Sequence, residues 1–506
     1  MADVLSITQH YHQRTKYDPE TLSQRGRSLD FSQQPMPFKD YKFGTTIGLK
    51  EYLEQGVDAS QMQWQRLSRL LYCSYGITAV IPYPDNPLYL RTAPSAGGLY
   101  PAELYVIAGE GTVLPAGLYN YQVRTHSLLR FWDSHVWSAL ESACLWHPAL
   151  AKTQLAVVVT AIFHRSAWRY EDRAYRRICL DSGHLLGNIE LAASICDYKA
   201  HLIGGFADQP FNQLLYLDSD QEGVVAAFAL ADLLEADQNL PPAPTLLPSP
   251  TVEDFPKLPD GELLAYTHTA TSIASEDITY NNPLPTTTKE DKYNFPFCLK
   301  VPLANTPVDW GDDLIDLKES ILKRRSTRKF TGDSLSLDTL SRLLSFTYCP
   351  ENYQEQGLDG DPGFFDLGLI QTFIAVLDIT DLDTGCYYYA IQAQELRQIR
   401  FKNFRRESHY LCLGQDLGRD AAAIVFHTAD LQSAIARYGD RAYRYLHMDA
   451  GHLGQRLNLA ATHLGVGVSG IGGFFDDQVN EVLGIPEEEA VLYITTLGKP
   501  PPPAQE

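Results

Sequence analysis

Two short stretches of this chain carry residue types that could hold a flat, anionic ligand. Arg324, Arg325, Ser326 and Arg328 stand together in RRSTR. Guanidinium forks bind phosphate oxygens in pairs and hydrogen-bond the carbonyl edge of a heteroaromatic ring. Pro94, Ser95, Ala96, Gly97 and Gly98 form the run PSAGG. Such a turn exposes backbone N–H groups with no side chain in the way, so a planar molecule can come close. Taken singly, neither is specific: a basic run at a helix start is commonly a solvated patch, and PSAGG is commonly just a turn.

Their placement in the chain raises their weight. YEDRAYRRICLDSGHLLGNIELAAS, from Tyr170, recurs as YGDRAYRYLHMDAGHLGQRLNLAAT, from Tyr438, and IGGFAD at Ile203 recurs as IGGFFD at Ile471. The same offset sets GLYNY at Gly117 against GCYYY at Gly385 and Pro94 against Pro362. A long-period self-similarity implies two copies of one module, a covalent form of a symmetric dimer. The arginine run exists only in the second copy, since the first has DASQMQWQRLSRLL in its place. PSAGG exists only in the first, since the second has DPGFFDLGL there. Reciprocal loss is expected if an ancestral dimer had two sites, each built from both subunits, and one survived fusion.

The remaining composition sets bounds. With 506 residues, 44% hydrophobic and 20% charged, the chain should hold two or three globular domains. Its net charge of -21 repels a phosphate backbone, so nucleic acid is not an expected partner. The eight cysteines are scattered without a CxxC pair, which argues against a structural zinc site or a redox dithiol. No metal site, membrane span or secretory signal is expected, and the protein is placed in the cytoplasm.

The elements that must position these residues follow a repeated order. LSRLLYCSYG and LSRLLSFTY have helical apolar spacing, ELYVIAG, LYNYQV, TFIAVLD and CYYYAI read as strands, and LAVVVTAIF and AAAIVFHTA as central strands. The segments 173–195 and 441–464 predict long helices whose small residues suit close packing between the copies. Each copy is then an α+β domain, a mixed sheet packed on helices. The expected division is a polar amino-terminal segment over 1–60, copy 1 over 61–235, a Pro-rich connector over 236–313 that excludes regular helix and docks near its end, and copy 2 over 314–506. Gly465, Gly467 and Gly470 satisfy G-x-G-x-x-G but follow a helix, so a dinucleotide site is discounted.

Together, RRSTRKF, PSAGGLYPAELYVI, the RAYR…D-(S/A)-GH…LAA helix and the IGGF(A/F)D turn resemble the FMN-dependent nitroreductase superfamily. The amino-terminal YHQRTK and QPMPFKDY and the duplication resemble its peptide azoline dehydrogenase branch, nearest to the cyanobactin-type thiazoline oxidases. The resemblance implies tandem nitroreductase-like domains forming an intrachain pseudo-dimer with FMN between them. It implies that Arg324, Arg325, Ser326 and Arg328 hold the phosphate, ribityl chain and pyrimidine edge, with Lys499 near the phosphate. Pro94, Ser95, Ala96, Gly97 and Gly98 would face the flavin from the opposite domain, and Gly472 and Gly473 would lie beside its ring.

For catalysis the branch uses a Lys-Tyr pair before the RAYR helix. Here the pairs are Arg169-Tyr170 and Arg437-Tyr438, and arginine, with a pKa of about 12.5 or above, is a poor proton acceptor. Tyr170, in the copy that carries PSAGG, is the favoured acid or base, provided a neighbouring cation lowers its pKa; Tyr438 is the other candidate. The implied reaction converts thiazoline or oxazoline rings of a ribosomally made peptide to thiazole or oxazole, with oxygen as final acceptor. An upstream heterocyclase would supply the rings, the amino-terminal and connector segments would hold the peptide, and the family is habitually dimeric. Two alternatives share part of this pattern: an NAD(P)H-dependent nitro or quinone reductase, and a flavin-free protein that delivers peptide to a cyclising enzyme. His184 and His452 are expected as hydrogen-bonded core residues.

Overall fold

The computed structural model describes residues 5–24, 29–53, 58–82, 87–274 and 290–502. The helices that organise the molecule are α1 (Ile7–Arg14), α2 (Met62–Tyr75), α3 (Phe163–Tyr170), α4 (Ala174–Ile195), α5 (Leu263–Ala270), α6 (Ile315–Lys323), α7 (Leu337–Tyr348), α8 (Leu431–Tyr438) and α9 (Ala442–His463). Copy 1 contains β1 (Thr45–Gly48), β2 (Ala102–Ala108), β3 (Gly117–Gln122), β4 (Ser127–Trp132), β5 (Leu155–Ile162), β6 (Tyr198–Ile203) and β7 (Glu222–Asp232). Copy 2 repeats them as β8 (Lys300–Pro302), β9 (Gln371–Val376), β10 (Gly385–Ala390), β11 (Glu395–Arg400), β12 (Ala423–Asp430), β13 (Gly467–Ile471) and β14 (Glu489–Gly498). The first sheet runs β1-β4-β3-β2-β5-β7-β6, and the second runs β8-β11-β10-β9-β12-β14-β13. One topology is thus written twice.

In strand direction the sheets are antiparallel throughout instead of mixed. The helical crossover from β5 to β6 leaves those two strands parallel to each other, but β7 inserts between them antiparallel to both. β1 arises within the first sixty residues and β8 within the connector; each pairs with the outer strand of its sheet. The amino-terminal segment is less polar in use than in composition. Ser6 caps α1 in a capping box with Gln9, and Ile7 and Tyr11, one turn apart, are fully buried.

The connector differs from its expected extended form at α5, a helix in the proline-free window after Pro259. Proline forbids helix only where it stands. Earlier connector residues strap copy 2: Ser249 N–H donates to the Tyr438 carbonyl and Asp440 N–H to the Pro250 carbonyl. Near its end, Tyr293 and Phe295 pack against the outer core of copy 2.

The long helices α4 and α9 cross at the centre. Gly183 and Gly451 meet there, and a Cβ on either would collide with a backbone carbonyl of the other helix. The copies are then locked by two reciprocal buried clamps. Arg173 and Arg176 of copy 1 reach Asp476 of copy 2 at 2.8 and 2.7 Å. Arg441 and Arg444 of copy 2 reach Asp208 of copy 1 at 2.6 and 2.8 Å. The RAYR and IGGF-D strings kept in both copies therefore make the interface, and each clamp stands beside one cleft.

Candidate active site

The two clefts are related by the same pseudo-symmetry and differ in what fills them. In the first, the PSAGG turn is pinned from below by Asp181 of α4, which accepts from the Ser95 hydroxyl at 2.6 Å and the Ala96 N–H at 3.1 Å. Burial pushes the Asp181 carboxyl up to about 7, against the pull of those two donors and of Arg177. Gly97 and Gly98 both adopt φ of 67°, a conformation costly for other residues. A Cβ at Gly97 would stand 2.9 Å from the Tyr170 hydroxyl and 3.4 Å from the Arg169 side chain. The turn and the Arg169-Tyr170 pair are thus brought together, as their shared copy suggested.

The arginine run enters from copy 2. Arg324 is 3% exposed; its Nε donates to the Thr92 carbonyl at 2.7 Å and its Nη2 to the Arg91 carbonyl at 3.1 Å. Its Nη1 is buried with no partner among the described residues. Burial lowers this guanidinium to about 10, so it stays charged at neutral pH. Arg325 donates from Nη2 to the Thr78 carbonyl at 3.0 Å. Both arginines therefore also buttress copy 1 directly. Ser326 is half-buried and Arg328 is exposed. Lys499 lies alongside, its carbonyl accepting from Thr331 N–H and its exposed ammonium 3.7 Å from Asp333.

Opposite the PSAGG turn stands the Gly472–Gly473 turn of copy 2. Its nearest neighbour is Arg177 of α4: a Cβ on Gly472 would lie 3.5 Å from the guanidinium carbon. That guanidinium stacks on the Tyr170 ring at 3.9 Å. Burial raises the Tyr170 hydroxyl above its ordinary value, and Arg177 and Arg169 pull the other way without overcoming it. The lowering expected from a neighbouring cation is thus outweighed by burial, which leaves Tyr170 placed as a hydrogen-bond donor. Sequence reasoning missed Arg177, although RAYRR against RAYRY in the duplicated helix was a legible signal.

In the second cleft the place of Gly97 is taken by Phe365. Its ring stacks on Tyr445, the counterpart of Arg177, at 4.8 Å, and would strike a Cβ on Gly204, the counterpart of Gly472. Phe364 stacks on His452 at 4.1 Å, and the connector covers them through Thr245, whose hydroxyl donates to the Phe364 carbonyl. Tyr438 is 2% exposed. Its hydroxyl donates to Asp366 at 2.7 Å and accepts from Arg437 Nε at 2.9 Å; burial and the carboxylate push it up to about 12. Tyr438 thus lies in the filled cleft, apart from the other candidates.

The first cleft fits a flavin mononucleotide on its own features. The positive-φ Gly97–Gly98 turn faces a second glycine pair, and a buried guanidinium N–H points to an acceptor that the described residues do not supply. From Tyr170 a groove of about 1030 Å³ leads outward, lined by Tyr17 and Leu22 of the amino-terminal segment, Ala167 of α3, and Gly261 and Leu264 of the connector. His184 hydrogen-bonds the Tyr493 hydroxyl at 2.8 Å and Gln455 at 3.0 Å, and His452 lies 3.5 Å from Glu190. No described helix is long and apolar enough to cross a membrane.

Both copies match one family of known proteins. The nitroreductase family model matches residues 50–232 and 321–499, once in each copy and over more than half of the chain. A nitroreductase-like protein of known structure from Anabaena variabilis ATCC 29413 is 63% identical, with a TM-score of 0.94 over 98% of this chain and 100% of that one. The nitroreductase-like protein MJ1384 of Methanocaldococcus jannaschii is 29% identical over 178 residues, 35% of this chain and 89% of that protein. The trifolitoxin-processing protein TfxB of Rhizobium leguminosarum bv. trifolii is 25% identical over 201 residues, 38% of this chain, and the chain spans 54% of its length.

Proposed function

Because the chain belongs to the nitroreductase family, we propose that its open cleft holds one FMN and oxidises thiazoline or oxazoline rings in a ribosomally made peptide. The observation that carries this reading is the contrast between the clefts: one is filled by Phe365 and strapped by the connector, the other opens on a groove of peptide size. Similarity to a protein named for trifolitoxin processing supports a peptide as the substrate.

Arg324 Nη1, Arg325, Ser326, Arg328 and Lys499 would hold the phosphate, the ribityl chain and the pyrimidine edge. The Pro94–Gly98 turn and Gly472–Gly473 would hold the ring from opposite sides. When bound, FMN supplies two-electron redox chemistry and oxygen restores its oxidised form. The chain's own work is placement. Asp181 fixes the turn through Ser95 and Ala96, and Tyr170 offers a phenol O–H at the inner end of the groove. Arg169, exposed at the groove, carries a fixed positive charge where the family pattern has a lysine, and so takes no proton. The peptide would enter between Tyr17, Leu22 and Leu264, as an extended strand held by its backbone.

The test is to incubate FMN-loaded protein with a thiazoline-containing peptide in air, without nicotinamide. Loss of two hydrogens from the peptide with matching hydrogen peroxide supports the reading. Turnover of a nitroaromatic or quinone that requires NADPH, with the peptide unchanged, would replace it by a reductase.

A further inference from the structure

Arg177 is a buried arginine with a donor that the protein leaves unanswered. The residue is 6% exposed, and its Nη1 is shielded from solvent with no hydrogen-bond partner among the described residues. Arg176, one residue earlier on α4, spends its donors on Asp476 and on Thr15 and His12 of the amino-terminal segment, whereas Arg173, just before the helix, bonds Asp476 through Nη1 and keeps buried Nε and Nη2 without a partner among the described residues. An unpaired buried guanidinium N–H is costly, so its persistence calls for an acceptor from outside the chain. The pseudo-symmetry sharpens the point. The counterpart in the filled cleft is Tyr445, whose hydroxyl is satisfied by the Gly204 and Leu247 carbonyls. A neutral, satisfied residue stands where the cleft is closed, and a cation with a free donor stands where it is open.

The surroundings indicate what that acceptor is. The guanidinium is held flat by the Tyr170 ring on one side and borders the Gly472–Gly473 turn on the other. Tyr170 lines the groove and Arg177 is stacked against its ring, so a molecule that passes Tyr170 comes next to the guanidinium. Resting on the peptide-oxidase reading above, we propose that Arg177 donates to the peptide carbonyl oxygen attached to the ring under oxidation. In that reaction the ring would lose its Cα proton to a carboxylate at the groove and a hydride from the adjacent ring carbon, for which bound FMN would be the acceptor, and a C=C bond would form between the two carbons. As the proton leaves, negative charge spreads onto the attached carbonyl oxygen. A fixed cation there binds the substrate and holds the charge in a site shielded from water. Tyr170, stacked on the guanidinium, is its positioning residue.

The experiment compares wild type, Arg177→Gln and Arg177→Lys, each loaded with FMN, for binding of a fluorescently labelled thiazole (product) peptide by anisotropy and for oxidation of the thiazoline peptide. Arg177→Gln should keep wild-type flavin content and bind the product peptide about ten- to a hundredfold more weakly. Arg177→Lys should recover part of that loss, and it also serves if the glutamine variant does not fold. Wild-type binding and turnover in Arg177→Gln overturn the inference alone, as does loss of flavin with unchanged peptide binding, which would assign the arginine to the cofactor. A wild-type protein that leaves the thiazoline peptide untouched overturns the peptide-oxidase reading and the inference with it.

Discussion

Replacing Phe365 by alanine tests whether the second cleft is closed by its own aromatic ring and is unfit for flavin even when emptied. The side chain is 3% exposed and stacks on Tyr445 at 4.8 Å with 25° between the rings. Truncating a buried phenylalanine costs about 3–5 kcal/mol, of which roughly 0.5–1.5 kcal/mol is the aromatic pair. The cavity would lie between Gly204, Tyr445 and the connector, yet the first copy supplies no arginine run to bind phosphate there. Denaturant unfolding of Phe365→Ala should therefore show a loss of about 3–5 kcal/mol, with flavin content unchanged. Gly97→Ala should do the opposite. Left-handed backbone adds only about 1 kcal/mol of strain, but the new Cβ, 2.9 Å from the Tyr170 hydroxyl, intrudes on the flavin-facing turn, so flavin should be lost with little change in stability. The reasoning is refuted if Phe365→Ala is as stable as wild type, or if it takes up a second flavin.

Three further outcomes follow from the same geometry. Asp476→Ala strands Arg173 and Arg176 in a buried interface and removes the acceptor for Tyr17 N–H; it should cost about 3–5 kcal/mol in denaturant unfolding and expose the first twenty residues to limited proteolysis. Asp181 and Asp449, both pushed up to about 7 by burial, keep their protons in the fold at pH values where the unfolded chain has lost them. Their contribution is complete below about pH 4 and is lost as pH rises through about 7, so melting temperatures of Asp181→Asn with Asp449→Asn should depend less on pH over that window than those of wild type. Arg325→Ala, which leaves the buried Arg324 in place, should lose the yellow colour while retaining its fold by circular dichroism.

Much of this architecture was legible because the chain is written twice. The offset that aligns Tyr170 with Tyr438 also pairs Gly183 with Gly451, and the small residues of the two long helices imply close packing. The turn, the glycine pair and the arginine run were legible as parts because each has a local chemical signature. Their partners were less so. The clamps of Arg173 and Arg176 on Asp476 join positions about three hundred residues apart, and no local periodicity reports such a pairing. Read along the chain, the RAYR string carried only a family resemblance, whereas its arginines clamp the two copies together. The helix Leu263–Ala270 was hidden by the prolines on either side of it. The neutral state of Tyr170 depends on burial, which counting nearby arginines cannot supply.

The most direct test of a single shared site is the visible spectrum of the purified protein reconstituted with excess FMN, with released flavin counted against chain. The two-cleft account predicts one FMN per chain. Two per chain would mean that Phe365 and the connector do not close the second cleft, and none would mean that the arginine run and the PSAGG turn do not together form a flavin site.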